Sequence, residues 1–246
     1  MNINTTGLPE PLDSGLTKYQ IKSRVADQIN WRHKIPVGAG VYSPGREDNR
    51  IDLDCFGFDP CPNQRVLDIG ASDGFFSFYH ESVLHAESVL AMDNFVSTPN
   101  CGDNTGIRIA SELRQSSIRI EDKSIYDLSP SIDGLYDRVL LLNVLYHLEH
   151  PLLGLKCLSS VCKPGAVLYL KTHLHYDIRF GQFHMNLRRI PMVRYYEGTS
   201  LNNDPSNYWG PNSYCVESWL RDSGFCDVRQ LATHHDRGYF RAVRSG

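Results

Sequence analysis

The chain lacks an uninterrupted apolar run of the roughly 18 residues that a membrane-spanning helix needs. Its opening stretch, Met1 to Pro11, has neither a basic region nor an apolar segment, so we expect no secretory signal. CxxC pairs are also missing, although the chain has 7 cysteines. An odd number of cysteines without metal-ligand spacing argues against a cysteine zinc site and favours reduced thiols. These absences predict a cytoplasmic protein with no membrane partner.

An excess of basic residues is absent too. Lys and Arg total 25 against 28 Asp and Glu, the formal net charge is -3 and the pI is about 6.3. A broad nucleic-acid surface needs clustered cations that neutralise phosphates, so this balance argues against one. The densest basic patch, around Arg179, Arg188, Arg189 and Arg194, is interpreted as a solvated surface. A length of 246 residues, 41% of them hydrophobic, suits one large α/β domain with a substantial core.

The apolar pattern changes along the chain from a helical period to an alternation of strands and helices. Apolar residues at helical spacing predict a helix over 16–34, and the Gly- and Pro-rich stretch 37–62 is expected to wrap the core without regular structure. The elements predicted next are strand 64–69, helix 74–84, strand 88–92, helix 104–115, strands 117–121 and 136–142, helix 151–162 and strand 166–172. Such alternation predicts an α/β fold with a mostly parallel sheet and helices on both faces.

The pattern then breaks for about forty residues, a length that compact domains seldom leave without a function. We therefore interpret 174–212 as an insertion that covers a substrate. The elements predicted after it are helix 213–223 and strands 226–233 and 238–244. The two strands are expected to form an antiparallel pair at one edge of the sheet. The predicted organisation is a segment 1–62 that covers part of the site, followed by a Rossmann-like domain 63–246.

One predicted strand ends in a turn of small residues. Val66 to Ile69 is apolar, Gly70 to Gly74 forms the turn, and an aromatic-rich helix follows, which is typical of a nucleotide-cofactor turn. Asp93 lies at the end of the next strand, where its carboxylate can bind a ribose diol. Ser72 and Phe75 stand where a dinucleotide turn needs glycine, so a nicotinamide cofactor is disfavoured.

An acid, Gly70, a small residue and Gly74 resemble the first motif of class I S-adenosylmethionine (SAM) methyltransferases, with Asp93 as the acid on their second strand. The resemblance implies their seven-stranded sheet and SAM as cofactor, with S-adenosylhomocysteine as product. The two glycines would let main chain approach the methionine part of the cofactor. The ends of the next two strands supply candidates for the adenine and for the methionine amine. The candidate cofactor-binding residues are Asp68, Gly70, Ala71, Ser72, Asp73, Gly74, Asp93, Asn94, Phe95, Ser124, Ile125, Asn143 and Val144.

A second resemblance is carried by the end of strand 136–142. The run from Val144 to His147, followed by His150-Pro151-Leu152, is similar to the tRNA wobble-uridine carboxymethyltransferase family and its small-molecule methyltransferase relatives. Trp31 to Lys34 resembles a Trp-containing segment of that family, whereas Trp209 to Asn212 resembles the small-molecule relatives. The chain lacks the long N-terminal extension of the tRNA enzymes, which disfavours an RNA substrate. Ordinary SAM is favoured over carboxy-SAM.

Methyl transfer from a sulfonium needs alignment and exclusion of water, and a hydroxyl acceptor also has to lose its proton. Histidine titrates in the useful range, so His147 is the first candidate for the base. Tyr146 and His173 complete the candidate catalytic set. No metal site is predicted, because His173 and His175 have no evident third ligand. The candidate substrate-binding residues are Trp31, His33, Arg46, His175, Tyr195, Tyr196, Trp209 and Asn212.

The sequence therefore predicts a SAM-dependent methyltransferase that O-methylates a small polar metabolite or a natural-product or sugar intermediate. Two alternatives stay open, namely a tRNA wobble-uridine methyl- or carboxymethyltransferase and a non-catalytic SAM-binding or scaffold protein. The turn His234-His235-Asp236 between the last two strands is expected to be solvated and is assigned no role.

Overall fold

The structure is a computed structural model that describes residues 6–28, 30–94, 103–175, 178–180, 183–185 and 190–246. Two compact units are present, Met1–Ser124 and Ile125–Gly246. Among the described residues, no helix is long and apolar enough to cross a membrane.

The main sheet has seven strands. Their bounds are β3 (Arg65–Ile69), β4 (Ser88–Asp93), β5 (Arg119–Asp122), β6 (Tyr136–Leu142), β7 (Cys162–His173), β12 (Phe225–His234) and β13 (Arg237–Arg244). Their hydrogen-bonded order is β12-β13-β7-β6-β3-β4-β5. Strand β13 runs antiparallel to both β7 and β12, while β3, β4 and β5 pair in parallel, as do β6 and β7. The predicted α/β fold, a mostly parallel sheet with an antiparallel edge, is confirmed.

The first unit also contains helices and two short strands around its three sheet strands. These are α1 (Lys18–Ala26), β1 (Pro36–Gly38), β2 (Val41–Tyr42), α2 (Arg50–Phe56), α3 (Phe75–Ser82) and α4 (Thr105–Arg114). Strand β3 forms because its apolar run is buried on both faces, as a central parallel strand requires. In the pairing of β4 with β5, Asp93 lies beside Asp122. Two carboxylates therefore meet at the carboxyl end of this part of the sheet.

The predictions for the N-terminal segment were wrong in two respects. Helix α1 ends at Ala26 rather than at residue 34, because the chain turns back and the Trp31 indole donates to the Val25 carbonyl at 3.0 Å. The stretch 37–62 is not irregular, since it forms β1, β2 and α2. Helix α2 has only seven residues and ends where Gly57 adopts a left-handed φ of 54°. Such a short helix shows too little periodicity to be read from sequence.

The second unit carries the other four sheet strands, three helices and a set of short strands. The remaining elements are α5 (Pro130–Asp133), α6 (Pro151–Ser160), β8 (Ile178–Phe180), β9 (Phe183–Met185), β10 (Val193–Tyr195), β11 (Trp209–Pro211) and α7 (Ser213–Asp222), with 3-10 helices at Ile125–Asp127 and Leu145–His147. Helix α6 begins at Pro151, whose fixed φ suits the first helical position. The described residues of the insertion 174–212 include two antiparallel pairs, β8 with β9 and β10 with β11.

Candidate active site

The turn after β3 is fastened to the end of β4. The backbone N–H groups of Gly70 and Ala71 donate to the Met92 carbonyl at 2.8 and 3.1 Å. Gly70 has a φ of 76° and Ser72 one of 52°, so the chain reverses through left-handed conformations before α3 begins. Glycine adopts this geometry without strain, which explains Gly70.

Asp93 is hydrogen-bonded to the same turn. Its Oδ2 accepts from the Ser72 N–H at 2.9 Å. Burial raises the pKa of Asp93, although the amides of Ser72 and Asn94 favour the carboxylate; the neighbouring Asp122 raises the pKa further. The predicted ribose acid and the predicted turn are thus one hydrogen-bonded unit. Phe95, which was predicted beside them, lies outside the described residues.

Gly74 has a packing role that the sequence did not predict. A Cβ at this position would lie 2.8 Å from Cγ1 of Ile107 on α4 and 2.9 Å from Cε2 of Phe78. Its φ of 87° also lies in the left-handed region. The missing side chain therefore allows α3 and α4 to pack closely, and the approach of a cofactor to Gly74 stays a prediction.

Asp73 and His33 bind each other. Oδ2 of Asp73 accepts from the backbone N–H groups of Arg32 and His33 at 2.9 and 2.8 Å, and Oδ1 contacts His33 Nδ1. Both side chains are buried. Asp73 was predicted to bind cofactor and His33 to bind substrate, but in this structure they join the turn to the segment that precedes the fold.

Asp68 stabilises the packing of α3 on β3. It is buried, and its Oδ2 accepts from the Ser77 hydroxyl at 2.6 Å. Burial raises the pKa of Asp68 to about 6, against the lowering effect of the Ser77 hydrogen bond. The predicted cofactor residue Asp68 thus has a protein partner on the adjacent helix.

Asn143 follows β6 with a φ of 61°, and its N–H donates to the Lys171 carbonyl at 2.8 Å. Its Oδ1 is buried and has no hydrogen-bond partner among the described residues. A buried acceptor without a donor is costly, so this oxygen fits a ligand that donates, such as the ammonium of an amino acid. The next residue, Val144, leads into the 3-10 helix Leu145–His147. Of the predicted adenine residues, Ser124 follows β5 and Ile125 is buried at the start of a 3-10 helix.

Five aromatic side chains gather where β6 and β7 end, and we name them the imidazole cluster: Tyr146, His147, His173, His175 and Tyr196. The ring centroids of Tyr146 and His147 are 4.1 Å apart, and that of His173 lies 6.2 Å from Tyr146 and 5.5 Å from Tyr196. The structure therefore brings together all three predicted catalytic residues and two predicted substrate residues. Open α/β sheets bind ligands at this edge.

His147 is oriented by the insertion. Its Nδ1 lies 3.0 Å from both the carbonyl oxygen and Oγ of Ser206, and Ser206 Oγ donates to Asp204 Oδ1 at 2.6 Å. A carbonyl only accepts, so Nδ1 carries the proton and the neutral ring keeps Nε2 as its acceptor. This is the tautomer that a general base at Nε2 requires.

His173 lies between a carboxylate and a phenol. Asp236 Oδ2 is 2.9 Å from His173 Nδ1, and the Tyr196 hydroxyl is 2.9 Å from His173 Nε2. Burial lowers the pKa of His173, while the hydrogen bond to Asp236 opposes this. The neutral ring thus donates from Nδ1 to Asp236 and accepts at Nε2 from Tyr196. Burial raises the pKa of Asp236, but Arg237 and His173 outweigh it and the pKa is lowered.

Sequence reasoning did not identify Asp236, to which it assigned no role, or the neighbouring Arg237. The Arg237 guanidinium lies 4.9 Å from the Tyr146 ring centroid. Because β13 pairs antiparallel with β7, Arg237 lies opposite His173. The predicted antiparallel edge could have indicated this contact. The turn between the last two strands has to lie beside the carboxyl end of the neighbouring parallel strand, which is where His173 lies.

The remaining predicted substrate residues lie in three kinds of surroundings. Trp31 is buried against α1, and Asn212 accepts from the Cys215 N–H at 2.8 Å as the N-cap of α7, so both have structural roles in this structure. Arg46 is exposed. Tyr195 is 57% exposed and its ring centroid lies 5.4 Å from that of Trp209, whose indole donates to the Leu148 carbonyl. Tyr195 and Trp209 thus form an accessible aromatic surface on the insertion.

Comparison with known proteins places the chain in a family. Residues 47–207 match the family model described as a methyltransferase domain. The chain is similar to the tRNA U34 carboxymethyltransferase of Syntrophotalea carbinolica, with 28% identity over 170 residues that cover 69% of this chain and 47% of that protein. It is also similar to the enzyme of that name from Pseudomonas fluorescens, with 29% identity over 170 residues, 68% of this chain and 46% of that protein. The chain spans about half the length of the curated relatives that it matches.

Solved structures resemble the fold at low sequence identity. The N-terminal domain of EvdMO1, solved in the presence of SAH and D-fucose, has a TM-score of 0.64 and 15% identity and covers 94% of this chain and 97% of that chain. An O-methyltransferase family protein from Burkholderia thailandensis has a TM-score of 0.53 and 16% identity, covering 74% and 51% of the two chains. Such identities show the fold alone. Because the family model matches more than half of the sequence, the chain belongs to the methyltransferase domain family.

Proposed function

We propose that this protein is a SAM-dependent methyltransferase that O-methylates a small polar metabolite, such as a sugar or natural-product intermediate. The match to the methyltransferase domain family supports the reaction class. SAM as cofactor is supported by the resemblance of the fold to proteins solved with SAH. When bound, SAM supplies a methyl group from a sulfonium, and the protein contributes alignment, water exclusion and proton removal.

The cofactor assignments rest on two observations. Asp93 is a carboxylate at the end of β4, anchored by the Ser72 N–H at 2.9 Å, and it is assigned to the ribose diol. Asn143 has a buried Oδ1 without a partner among the described residues, and this oxygen is assigned to the methionine ammonium.

The orientation of His147 is the observation that carries the O-methylation proposal. A hydroxyl acceptor becomes a better nucleophile when a base removes its proton during attack. Ser206 binds Nδ1 of His147, which leaves Nε2 as the acceptor on the neutral ring. His147 Nε2 would accept the proton of the acceptor hydroxyl as that oxygen takes the methyl group and the methyl–sulfur bond breaks, with S-adenosylhomocysteine as the leaving group; the imidazolium would then release the proton to solvent. A carboxylate acceptor would need no such base, so this arrangement favours a hydroxyl.

The test combines binding with turnover. Calorimetric titration should give micromolar affinity for SAM, near -8 kcal/mol. We expect Asp93→Ala to weaken SAM binding about tenfold because a charged hydrogen bond to the ribose is lost. His147→Ala should bind SAM normally and slow transfer to a hydroxylated acceptor about 100-fold, measured by mass spectrometry of the product.

Three results would count against the proposal. Unchanged SAM affinity in Asp93→Ala would refute the cofactor placement, and wild-type turnover in His147→Ala would remove His147 as base. Tight SAM binding with no product from any sugar, polyol or phenol tested would favour the non-catalytic alternative.

A tRNA substrate is the second candidate, because the curated relatives at 28% and 29% identity are tRNA U34 carboxymethyltransferases. That function predicts preference for carboxy-SAM in the same titration. It also predicts tRNA binding whose log affinity falls steeply with log salt, because phosphate contacts release counterions. The net charge of -3 disfavours it.

A further inference from the structure

We infer that Tyr196 is a positioning residue that, through its hydroxyl bond to His173, holds the 196–208 part of the insertion so that Ser206 stays on the His147 imidazole. The inference rests on the proposed role of His147 as the base. It gives a function to the Asp236–His173–Tyr196 chain, which the proton removal does not itself use.

The side chain of Tyr196 is fixed at both its hydroxyl and its ring. The hydroxyl donates to His173 Nε2 at 2.9 Å and lies 3.4 Å from His175 Nδ1. The ring packs on Gly210, where an added Cβ would lie 2.8 Å from Cε2 and 3.0 Å from the hydroxyl oxygen. The guanidinium of Arg194 lies 4.9 Å from the ring centroid. Tyr196 is 6% exposed, so water can reach its hydrogen-bond partners only if the insertion opens.

His173 is itself held by the far edge of the sheet. It is the last residue of β7, and its Nδ1 donates to Asp236, which lies in the turn between β12 and β13. The backbone of Leu174 is also bound there, since its N–H donates to the Asp236 carbonyl at 2.7 Å. Tyr196 thus connects the insertion to the end of β7 and to the turn between β12 and β13.

Backbone hydrogen bonds connect Tyr196 to the segment that contains Ser206. The Tyr196 N–H donates to the Tyr208 carbonyl at 2.8 Å, and the Tyr208 N–H donates to the Tyr146 carbonyl at 3.0 Å. Ser206 lies two residues before Tyr208 and contacts Nδ1 of His147 with both its carbonyl and its hydroxyl oxygen. Loss of the Tyr196 hydroxyl bond loosens residues 196 and 208, and with them the contact that sets the tautomer of His147.

The first experiment removes only the hydroxyl, in Tyr196→Phe, with Tyr214→Phe as the matched control. Tyr214 is half-exposed on α7 and lies outside the imidazole cluster. By native-state hydrogen exchange, the amides of Tyr196 and Tyr208 should exchange about tenfold faster in Tyr196→Phe, while core amides of β6 and β7 are unchanged. The control should leave both amides as in the wild type. Asp236→Ala removes the hydrogen bond between Asp236 and His173, at the other end of the Asp236–His173–Tyr196 series. It should also make the amides of Tyr196 and Tyr208 exchange faster.

The second experiment asks whether Tyr196 acts through His147. Tyr196→Phe should lower kcat about tenfold with unchanged SAM affinity, and it should lower kcat no further when added to His147→Ala. If the fold-losses in kcat of the two single variants multiply in the double variant, the inference is overturned, because Tyr196 then acts independently of the base. Wild-type exchange at Tyr208 in both Tyr196→Phe and Asp236→Ala would overturn it as well.

The two experiments separate this inference from the proposed function. Hydrogen exchange needs neither SAM nor an acceptor, so it tests the connection from Tyr196 to Ser206 even when no product is found. Titration of His147 followed by NMR adds a readout on the ring itself. The Nδ1-protonated tautomer should dominate in the wild type and lose population in Tyr196→Phe, and an unchanged tautomer ratio would contradict the link to Ser206.

Discussion

Asp68 is a buried carboxyl whose ionisation works against folding. The pKa of Asp68 is raised to about 6 by burial, and the Ser77 hydroxyl is its hydrogen-bond partner at 2.6 Å. A carboxyl in an unfolded chain titrates near 3.9. The folded state therefore binds this proton more tightly, and the contribution of Asp68 to stability is greatest below about pH 4 and is lost as the pH rises through 6.

The substitution Asp68→Asn tests this sign. The amide side chain that it introduces keeps an oxygen that accepts from Ser77 but carries no charge. The free energy of unfolding of Asp68→Asn should gain on that of the wild type by up to about 3 kcal/mol between pH 4 and pH 7, measured by urea denaturation. Asp54→Asn, which removes a carboxylate at an exposed position, is the matched control, and Asp68→Asn should gain stability relative to it as it does relative to the wild type. A constant difference between Asp68→Asn and the wild type across that range would refute the raised pKa.

At this scale, the sequence identifies residues whose neighbours are close in the chain or lie at strand ends. Gly70, Asp93 and His147 could be proposed from the sequence because each ends or follows an apolar strand, and the carboxyl ends of parallel strands share one edge. Asp236, Ser206 and the His33 partner of Asp73 were not found. Their contacts join segments that lie far apart in sequence, and no periodicity encodes such a distance.

Among the elements, the N-terminus of α3 depends on Gly74. An added Cβ would lie 2.8 Å from Cγ1 of Ile107, and the φ of 87° disfavours any L side chain. We expect Gly74→Ala to destabilise the first unit by at least about 2 kcal/mol, from backbone strain together with overlap between α3 and α4. Urea denaturation measures this directly.

Gly57→Ala separates the two causes. Gly57 also has a left-handed φ, of 54°, but nothing lies within 4 Å of its Cβ position. The strain alone should cost about 1 kcal/mol there. Equal losses at both glycines would mean that the contact with Ile107 yields freely and that α3 and α4 are not tightly packed.

The elements also show which predictions succeed. Strand β6 was predicted with the bounds that it has, 136–142, because the apolar run Val139 to Leu142 ends at the polar Asn143 and has the length of a buried strand in a parallel sheet. Strand β7 was predicted as 166–172 but spans Cys162–His173. Its first residues include Lys163, Pro164 and Gly165, which favour a turn, and the pairing of Tyr136 with Cys162 overrides that preference.

At the scale of the whole molecule, the family match begins later in the sequence than the part of the chain that packs on the matched region. The methyltransferase domain model begins at residue 47. Asp73, inside the matched region, is 4% exposed and accepts from the backbone of Arg32 and His33 and from the His33 ring. Those donors lie outside the match. The region that matches the family model therefore does not contain the hydrogen-bond donors of its own buried Asp73 carboxyl group.

A shortened chain of residues 47–246 should consequently fold poorly, because removal of the donors leaves an uncompensated buried carboxylate, at a cost of about 3 to 5 kcal/mol. Asp73→Asn in the shortened chain should recover part of that loss, measured by urea denaturation, and no recovery would show that the lost N-terminal packing alone destabilises it.

The Asp73 contact also bears on how such proteins diverge. Relatives that replace the segment before residue 47 are free to do so only if the new segment presents N–H donors to the same carboxylate, or if position 73 changes with it. When a foreign N-terminal region is joined to this fold, by evolution or in the laboratory, the residue at position 73 has to match the donors of that region. Comparison of the residues at position 73 among such proteins would test this.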